Sequence, residues 1–178
     1  MNFQIARIAS LLLTGLIAGT FFYGTFTVIP TFYGVPHDIH LSFRTALMRH
    51  NAIIVMSMVV LSIVALAFYT WQACRLKIAR GLILMALILT ITSLVITRLG
   101  SVPINMQIKT WNISSPPADW LKILDTWDKY NLIRTVASIA SFICLLIADL
   151  WLIKSSSVEI TKRADELPLR IEGTHISQ

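Results

Sequence analysis

An all-α, four-helix transmembrane bundle with a long outer segment between spans three and four follows from three features of this chain. The first is a set of long apolar runs. Ile8–Ile29 and Ala52–Ala73 each hold 22 residues without a charge, Gly81–Thr97 holds 17, and Leu132–Ile153 holds 22 with charges only at Arg134 and Asp149 toward its ends. A hydrocarbon core about 30 Å thick needs about 20 helical residues to cross it, and inside it only helices or closed barrels satisfy the backbone. The second feature is the absence of period-2 alternation, in runs about twice the length of a barrel strand. The third is composition: 56% hydrophobic and 13% charged residues exclude a soluble domain or a disordered chain. The expected organisation is a membrane domain over residues 1–153 and a polar, loosely ordered cytoplasmic tail over 154–178.

The net charge of +6 does not indicate nucleic acid, because the 15 Lys and Arg are scattered at span ends without a dense basic stripe. The partner they imply is the lipid bilayer, where charge at helix ends anchors spans and selects topology. Eight cations fall on the side of the termini and seven on the other, so the count alone barely discriminates. Density does: the seven-residue link Cys74–Arg80 carries three cations. The expected location is the plasma (inner) membrane with both termini cytoplasmic.

Span one follows Arg7 and is read as retained, since its apolar core exceeds the roughly 7–15 residues of a signal segment and no A-x-A site closes it. Gly15 and Gly19 stand at G-x-x-x-G spacing, with Gly24 beyond, which predicts close approach of a neighbouring helix. Packing inside the bundle is the first reading, a homo-oligomer face the second. Pro30 is expected to end the span. The first outer segment, Thr31–Asn51, holds His37, His40, His50, Arg44 and Arg49. Span two ends with Trp71 near the inner surface. Span three leads through Arg98, Gly100 and Pro103 into the long outer segment.

Within that segment Ser115-Pro116-Pro117-Ala118-Asp119 is a helix start: a hydroxyl cap, prolines in the first turn and an acid at the positive end of the dipole. No breaker follows before Ile153, so one long helix is expected, its first third above or on the membrane and the remainder forming span four. At 100° per residue, Trp120, Leu124, Trp127, Asn131, Arg134, Ser138 and Ser141 share one stripe. Span three offers Thr90, Ser93, Thr97, Ser101 and, if its helix passes Pro103, Asn105. Two facing polar stripes predict a cavity open to the outer side, floored by hydroxyls and rimmed by Asn105, Asn131 and Arg134. The competing reading is that hydroxyls glue helices together, tryptophans form an interfacial belt and Arg134 snorkels. An ionisable group within a span faces the bundle interior as a rule. Asp149, with Lys154 nearby, reads as half of an interfacial ion pair.

No metal is expected. His37 and His40 share a helix face, but a metal needs three or four ligands with a second shell. Cys74 and Cys144 form no C-x-x-C and read as small apolar residues. Nucleotide-binding, hydrolase and haem-attachment motifs are absent. A transporter is disfavoured for want of inverted repeats.

Val102-Pro103-Ile104-Asn105, Trp111, Pro117 to Trp120 and Trp127-x-x-Tyr130-Asn131-x-x-Arg134-Thr135, with Val28-Ile29-Pro30 ending span one, resemble the signature of a family of small four-span membrane proteins. That family includes the fungal anthrone oxygenases, and the resemblance runs over roughly residues 8 to 153. It implies oxidation of an electron-rich hydrophobic aromatic by molecular oxygen without metal, flavin or other cofactor. Arg134, Asn131 and Asn105 would then stabilise an enolate or phenolate, with Trp111, Trp120, Trp127 and Tyr130 as walls and a loop histidine such as His50 as a candidate base. The alternative is a non-catalytic membrane protein that holds a lipid or quinone-like ligand or assists a larger complex.

Overall fold

The structure, a computed structural model, describes residues 2–74 and 76–166, with the side chains of 50–52, 156 and 158–166 outside that description. It is a bundle of helices with no strand among the described residues. Helix α1 spans Phe3–Tyr33, α2 His37–Gln72, α3 Lys77–Ile108 and α4 Trp120–Glu166. Each contains a stretch long and apolar enough to cross a membrane. Successive helices run antiparallel. Each packs on its chain neighbours, and α1 closes the ring against α4.

Pro30, expected to end span one, lies inside a helix here, and the helix of span three likewise passes Pro103. Pro30 follows a π-helical turn at Gly24–Val28, and Pro103 follows another at Thr97–Ser101. A proline donates no N–H, and its ring crowds the carbonyl four residues back. A π turn places one more residue in the ladder and moves that carbonyl aside. The first span therefore continues past Pro30 to Tyr33, and α3 carries Asn105 beyond Pro103.

Packing differs along the bundle. At the end bearing the termini the core is built of small residues, including Ala6, Ala73, Ala79, Ala86 and Ala148 with Ile83 and Leu145. Ile17, Phe21 and Val59 fill the middle. At the far end Leu41, Ile108 and Leu124 lie beneath Trp111, Trp120 and Trp127. Lipid tails are as apolar as these side chains, so close backbone approach and hydrogen bonds hold such helices together. Gly15 supplies one approach: a Cβ there would lie 3.2 Å from the Phe142 ring of α4. Gly19 has nothing within 4 Å, so only one of the two glycines is a packing requirement within this chain.

The polar stripes of α3 and α4 meet directly. Thr90 and Ser141 share a hydroxyl–hydroxyl bond of 2.9 Å, Ser93 and Ser138 one of 3.2 Å, and Ser141 Oγ lies 2.9 Å from the Ala86 carbonyl. The expected hydroxyl-floored cavity is thus a closed hydrogen-bonded seam, because short side chains on two close helices satisfy each other. Asp149 pairs across the bundle with Arg7 of α1 rather than with Lys154 of its own helix. Helix α4 passes Ile153 and continues to Glu166. The rest of the tail, 167–178, lies outside the described residues.

Candidate functional site

The centre of interest is one face of α4, where residues three or four apart lie above one another. The Trp127 indole Nε1 donates to Asn105 Oδ1 at 2.6 Å, joining α4 to the part of α3 beyond its π turn. One turn on, Asn131 is buried, and its Nδ2 donates to the Trp127 carbonyl at 2.7 Å. That orients Asn131 Oδ1 to accept from the Arg134 guanidinium. Asn131 is therefore engaged through both its nitrogen and its oxygen and holds Arg134 in place. Asn105 is held by its oxygen, and its NH2 has no hydrogen-bond partner among the described residues.

Arg134 turns inward. Its guanidinium carbon lies 4.1 Å from the centre of the Phe21 ring on α1. Its Nε is buried without a hydrogen-bond partner, and among the described residues no carboxylate is paired with it. The neighbouring Thr135 donates to the Asn131 carbonyl at 2.7 Å and meets the Thr25 hydroxyl of the α1 π turn at 2.7 Å. Both π turns thus abut the same level of α4. On the α3 side Tyr130 lies flat against Gly100, where a Cβ would come within 2.8 Å of the ring.

Of the expected site residues, Asn105, Trp127, Asn131 and Arg134 form one connected chain of contacts, with Tyr130 against the adjoining turn. Trp111 and Trp120 join Trp127 in the far-end apolar cluster, away from Arg134. Fourteen residues of helix, roughly 21 Å of rise, separate Trp120 from Arg134.

A second constellation was not among the expected site residues. Arg44 of α2 is 1% exposed and donates to Asp128 Oδ1 at 2.6 Å, while the Tyr33 hydroxyl donates to the other carboxylate oxygen. The Arg44 guanidinium carbon lies 4.4 Å from the Trp127 ring centre and 5.4 Å from that of Phe32. His40, one turn before Arg44, stacks on Phe32 at 5.3 Å and meets Tyr33 and Trp120 edge-on. Burial, reinforced by the Arg44 charge, pushes the His40 imidazole down to about 4. The available signal was the four-residue spacing of His40 and Arg44 together with an acid beside Trp127. His40 lies at the level of Trp120, beyond reach of Arg134. His37 is exposed, and no group of three metal-ligating side chains forms among the described residues. The His50 side chain lies outside the described residues.

Trp127 therefore lies against one cation, Arg44, which Asp128 neutralises, and its carbonyl holds the Asn131 that bonds a second, Arg134, with which no carboxylate pairs among the described residues. An unpaired guanidinium in a dry setting attracts developing negative charge on a substrate oxygen far more strongly than it would in water. A family model described as anthrone oxygenase matches residues 43–144, a stretch that includes Arg44, Asn105, Asn131 and Arg134 and leaves out α1. No curated protein and no solved structure matches the chain.

Proposed function

The chain belongs to the anthrone oxygenase family, and from that membership we propose that it is a membrane oxygenase acting on a hydrophobic aromatic with no bound cofactor. In the reaction, a methylene activated by flanking aryl rings and a conjugated carbonyl loses a proton to give an enolate. The enolate combines with dioxygen, so that one methylene and one dioxygen become one carbonyl and one water. Arg134 binds the enolate oxygen, and Asn131 holds the guanidinium in place. The free amide of Asn105 is a second donor, and Trp127 and Tyr130 form the walls. Trp111 and Trp120 line the approach from the far end. The termini face the cytoplasm and the far end the outer side of the plasma (inner) membrane, which is supported by the three cations in the short Cys74–Arg80 link.

One observation carries this reading: Arg134 is held inward over Phe21 with a buried, unpartnered Nε and no carboxylate. A purely structural arginine at this depth would be expected to pair. The test is oxygen uptake by the detergent-solubilised protein with anthrone as substrate. Wild type is expected to consume oxygen in step with quinone formation, and Arg134→Gln to lose about 10²–10³ of the rate. Equal rates in the two proteins overturn the proposal.

The bond from Arg134 to the Asn131 amide favours a second reading, a non-catalytic holder of a quinone-like or lipid ligand, because an amide does not titrate. Anthraquinone binding that Arg134→Gln abolishes, with no oxygen uptake in either protein, selects it.

A further inference from the structure

The end of the bundle that bears the termini plays no part in the oxygenase reading, and its charges are unevenly matched. The described side chains there include four cations, Arg7, Lys77, Arg80 and Lys154, and one acid, Asp149, which Arg7 already pairs. Helices α1 and α3 both begin at this end, so each directs the positive end of its dipole to this surface. Neither has a side-chain cap or an acid in its first turn, and Lys77 and Arg80 add positive charge to the start of α3. The far end is arranged the other way: α2 carries Asp38 in its first turn, and Asp119 stands immediately before α4.

A cavity of about 230 Å³ opens at the terminal end. It is lined by Phe3, Gln4 and Arg7 from the first turns of α1, by Leu76, the residue that precedes α3, and by Leu152 and Ser155 of α4. The Arg7–Asp149 pair ties α1 to α4 beside it. Arg7 Nη1 donates to Gln4 Oε1 at 3.3 Å, which leaves Arg7 Nη2 and the Gln4 NH2 with no hydrogen-bond partner among the described residues. The lining is therefore amphipathic, with donors from Arg7 and Gln4 beside the apolar side chains of Phe3, Leu76 and Leu152.

The chain itself gives the depth of this cavity. Arg7 stands immediately before the uncharged run Ile8–Ile29, Ile153 closes the run of span four, and Leu76 lies three residues past the run Ala52–Ala73. All three boundaries fall where hydrocarbon gives way to headgroups. Ile5 and Ile8 on the same turns of α1, and Leu150 and Ile153 on those of α4, are each more than half exposed.

We propose that this cavity binds the headgroup of an anionic phospholipid from the leaflet on the side of the termini. The phosphate accepts hydrogen bonds from Arg7 and the Gln4 amide, and Lys77 and Lys154, next to lining residues, supply further positive charge. The glycerol rests on Phe3, Leu76 and Leu152, and the acyl chains run into the bilayer along the exposed isoleucines and leucine. The cavity is smaller than the about 300–1,000 Å³ of sites for drug-sized ligands, so it takes a headgroup and leaves the chains outside. A zwitterionic lipid brings its own cation to a surface that is already positive, so the anionic class is selected. This site stands whether or not the chain is an oxygenase.

The full chain in mixed micelles, offered equal amounts of dioleoyl phosphatidylglycerol and dioleoyl phosphatidylcholine, is read by native mass spectrometry. One phosphatidylglycerol per chain is expected to be retained, preferred about tenfold over phosphatidylcholine. Gln4→Leu, at an exposed position, and Leu152→Trp, which fills the cavity, should each bring that preference close to unity. Arg7→Gln combined with Asp149→Asn, which removes the cation without stranding its acid, should do the same. Lys122→Gln, which removes an exposed cation at the far end, should leave it unchanged. Equal retention of the two lipids by wild type overturns the proposal. So does a preference that survives both Gln4→Leu and Leu152→Trp in folded protein, or one that Lys122→Gln weakens as much, because either marks diffuse attraction to a basic surface. Displacement of the lipid by inorganic phosphate assigns the site to a free anion and overturns it as well.

Discussion

The guanidinium carbon of Arg134 lies 4.1 Å from the centre of the Phe21 ring on the neighbouring helix, with Asn131 as its hydrogen-bond partner and no acid paired with it among the described residues. A cation over an aromatic face gains about 0.5–2 kcal/mol. An arginine at the centre of a span costs about 2.5–3.5 kcal/mol on insertion scales, and less toward an end, where Arg134 stands. The two terms are of similar size, so the residue adds little net stability.

Replacing Arg134 by Met should accordingly leave the unfolding midpoint in detergent unchanged or higher while removing oxygen uptake. Circular dichroism melts alongside uptake measurements check this. A midpoint that drops by several degrees would show Arg134 to be a structural tie.

The Arg44–Asp128 pair makes the opposite prediction. Arg44 is almost fully enclosed, so Asp128→Asn leaves a buried cation without its counter-charge. The expected loss is about 3 kcal/mol, and the double variant Arg44→Met with Asp128→Leu should recover most of it. Denaturant titrations of the single and double variants measure the coupling.

His40 provides a pH dependence with a definite sign. Its folded value of about 4 lies below the ordinary 6.5, so the unfolded chain binds the proton first as pH falls. Above about pH 7 the imidazole is neutral in both states and contributes no slope. Between 6.5 and 4 stability should decline, reaching its full loss below the folded value. Melts across that window should show the decline, and His40→Phe, which keeps the ring stack on Phe32, should flatten it.

Gly100 and Gly19 separate a packing glycine from a tolerated one. Gly100→Ala drives a methyl against the Tyr130 ring and should destabilise by about 1–3 kcal/mol. Gly19→Ala meets nothing within 4 Å and should be neutral or stabilising by up to about 1 kcal/mol. Pairing Gly100→Ala with Tyr130→Ala should restore the loss if that contact is its cause.

Much of this architecture was legible in the residues. Long uncharged runs have one stable arrangement in a bilayer, so the span count followed from length alone, and the 3.6-residue period placed Asn131 and Arg134 on one stripe with Trp127. Pro30 misled, and Pro103 left the reach of span three open, because a sequence offers no sign of the π turn that lets a helix pass a proline. The hydroxyl stripes misled for a different reason: periodicity finds the face, but not whether the facing residues leave a space or fill it. Arg44, His40 and Asp128 went unassigned because Arg44 and Asp128 are distant in the chain, and helical period says nothing of contacts across a bundle.

The chain alone thus decided that there are four apolar helices, that both polar segments lie at one end, and that Arg134 shares a face with its carboxamide. Those outcomes depend on local period and on transfer into hydrocarbon, which each segment carries within itself. Which cation obtains a counter-charge, which seam closes and which stays open were decided only by the packing of four helices around one another. Asp128 can neutralise a single guanidinium, and it is the bundle that brings it to Arg44 and leaves Arg134 without a paired carboxylate among the described residues.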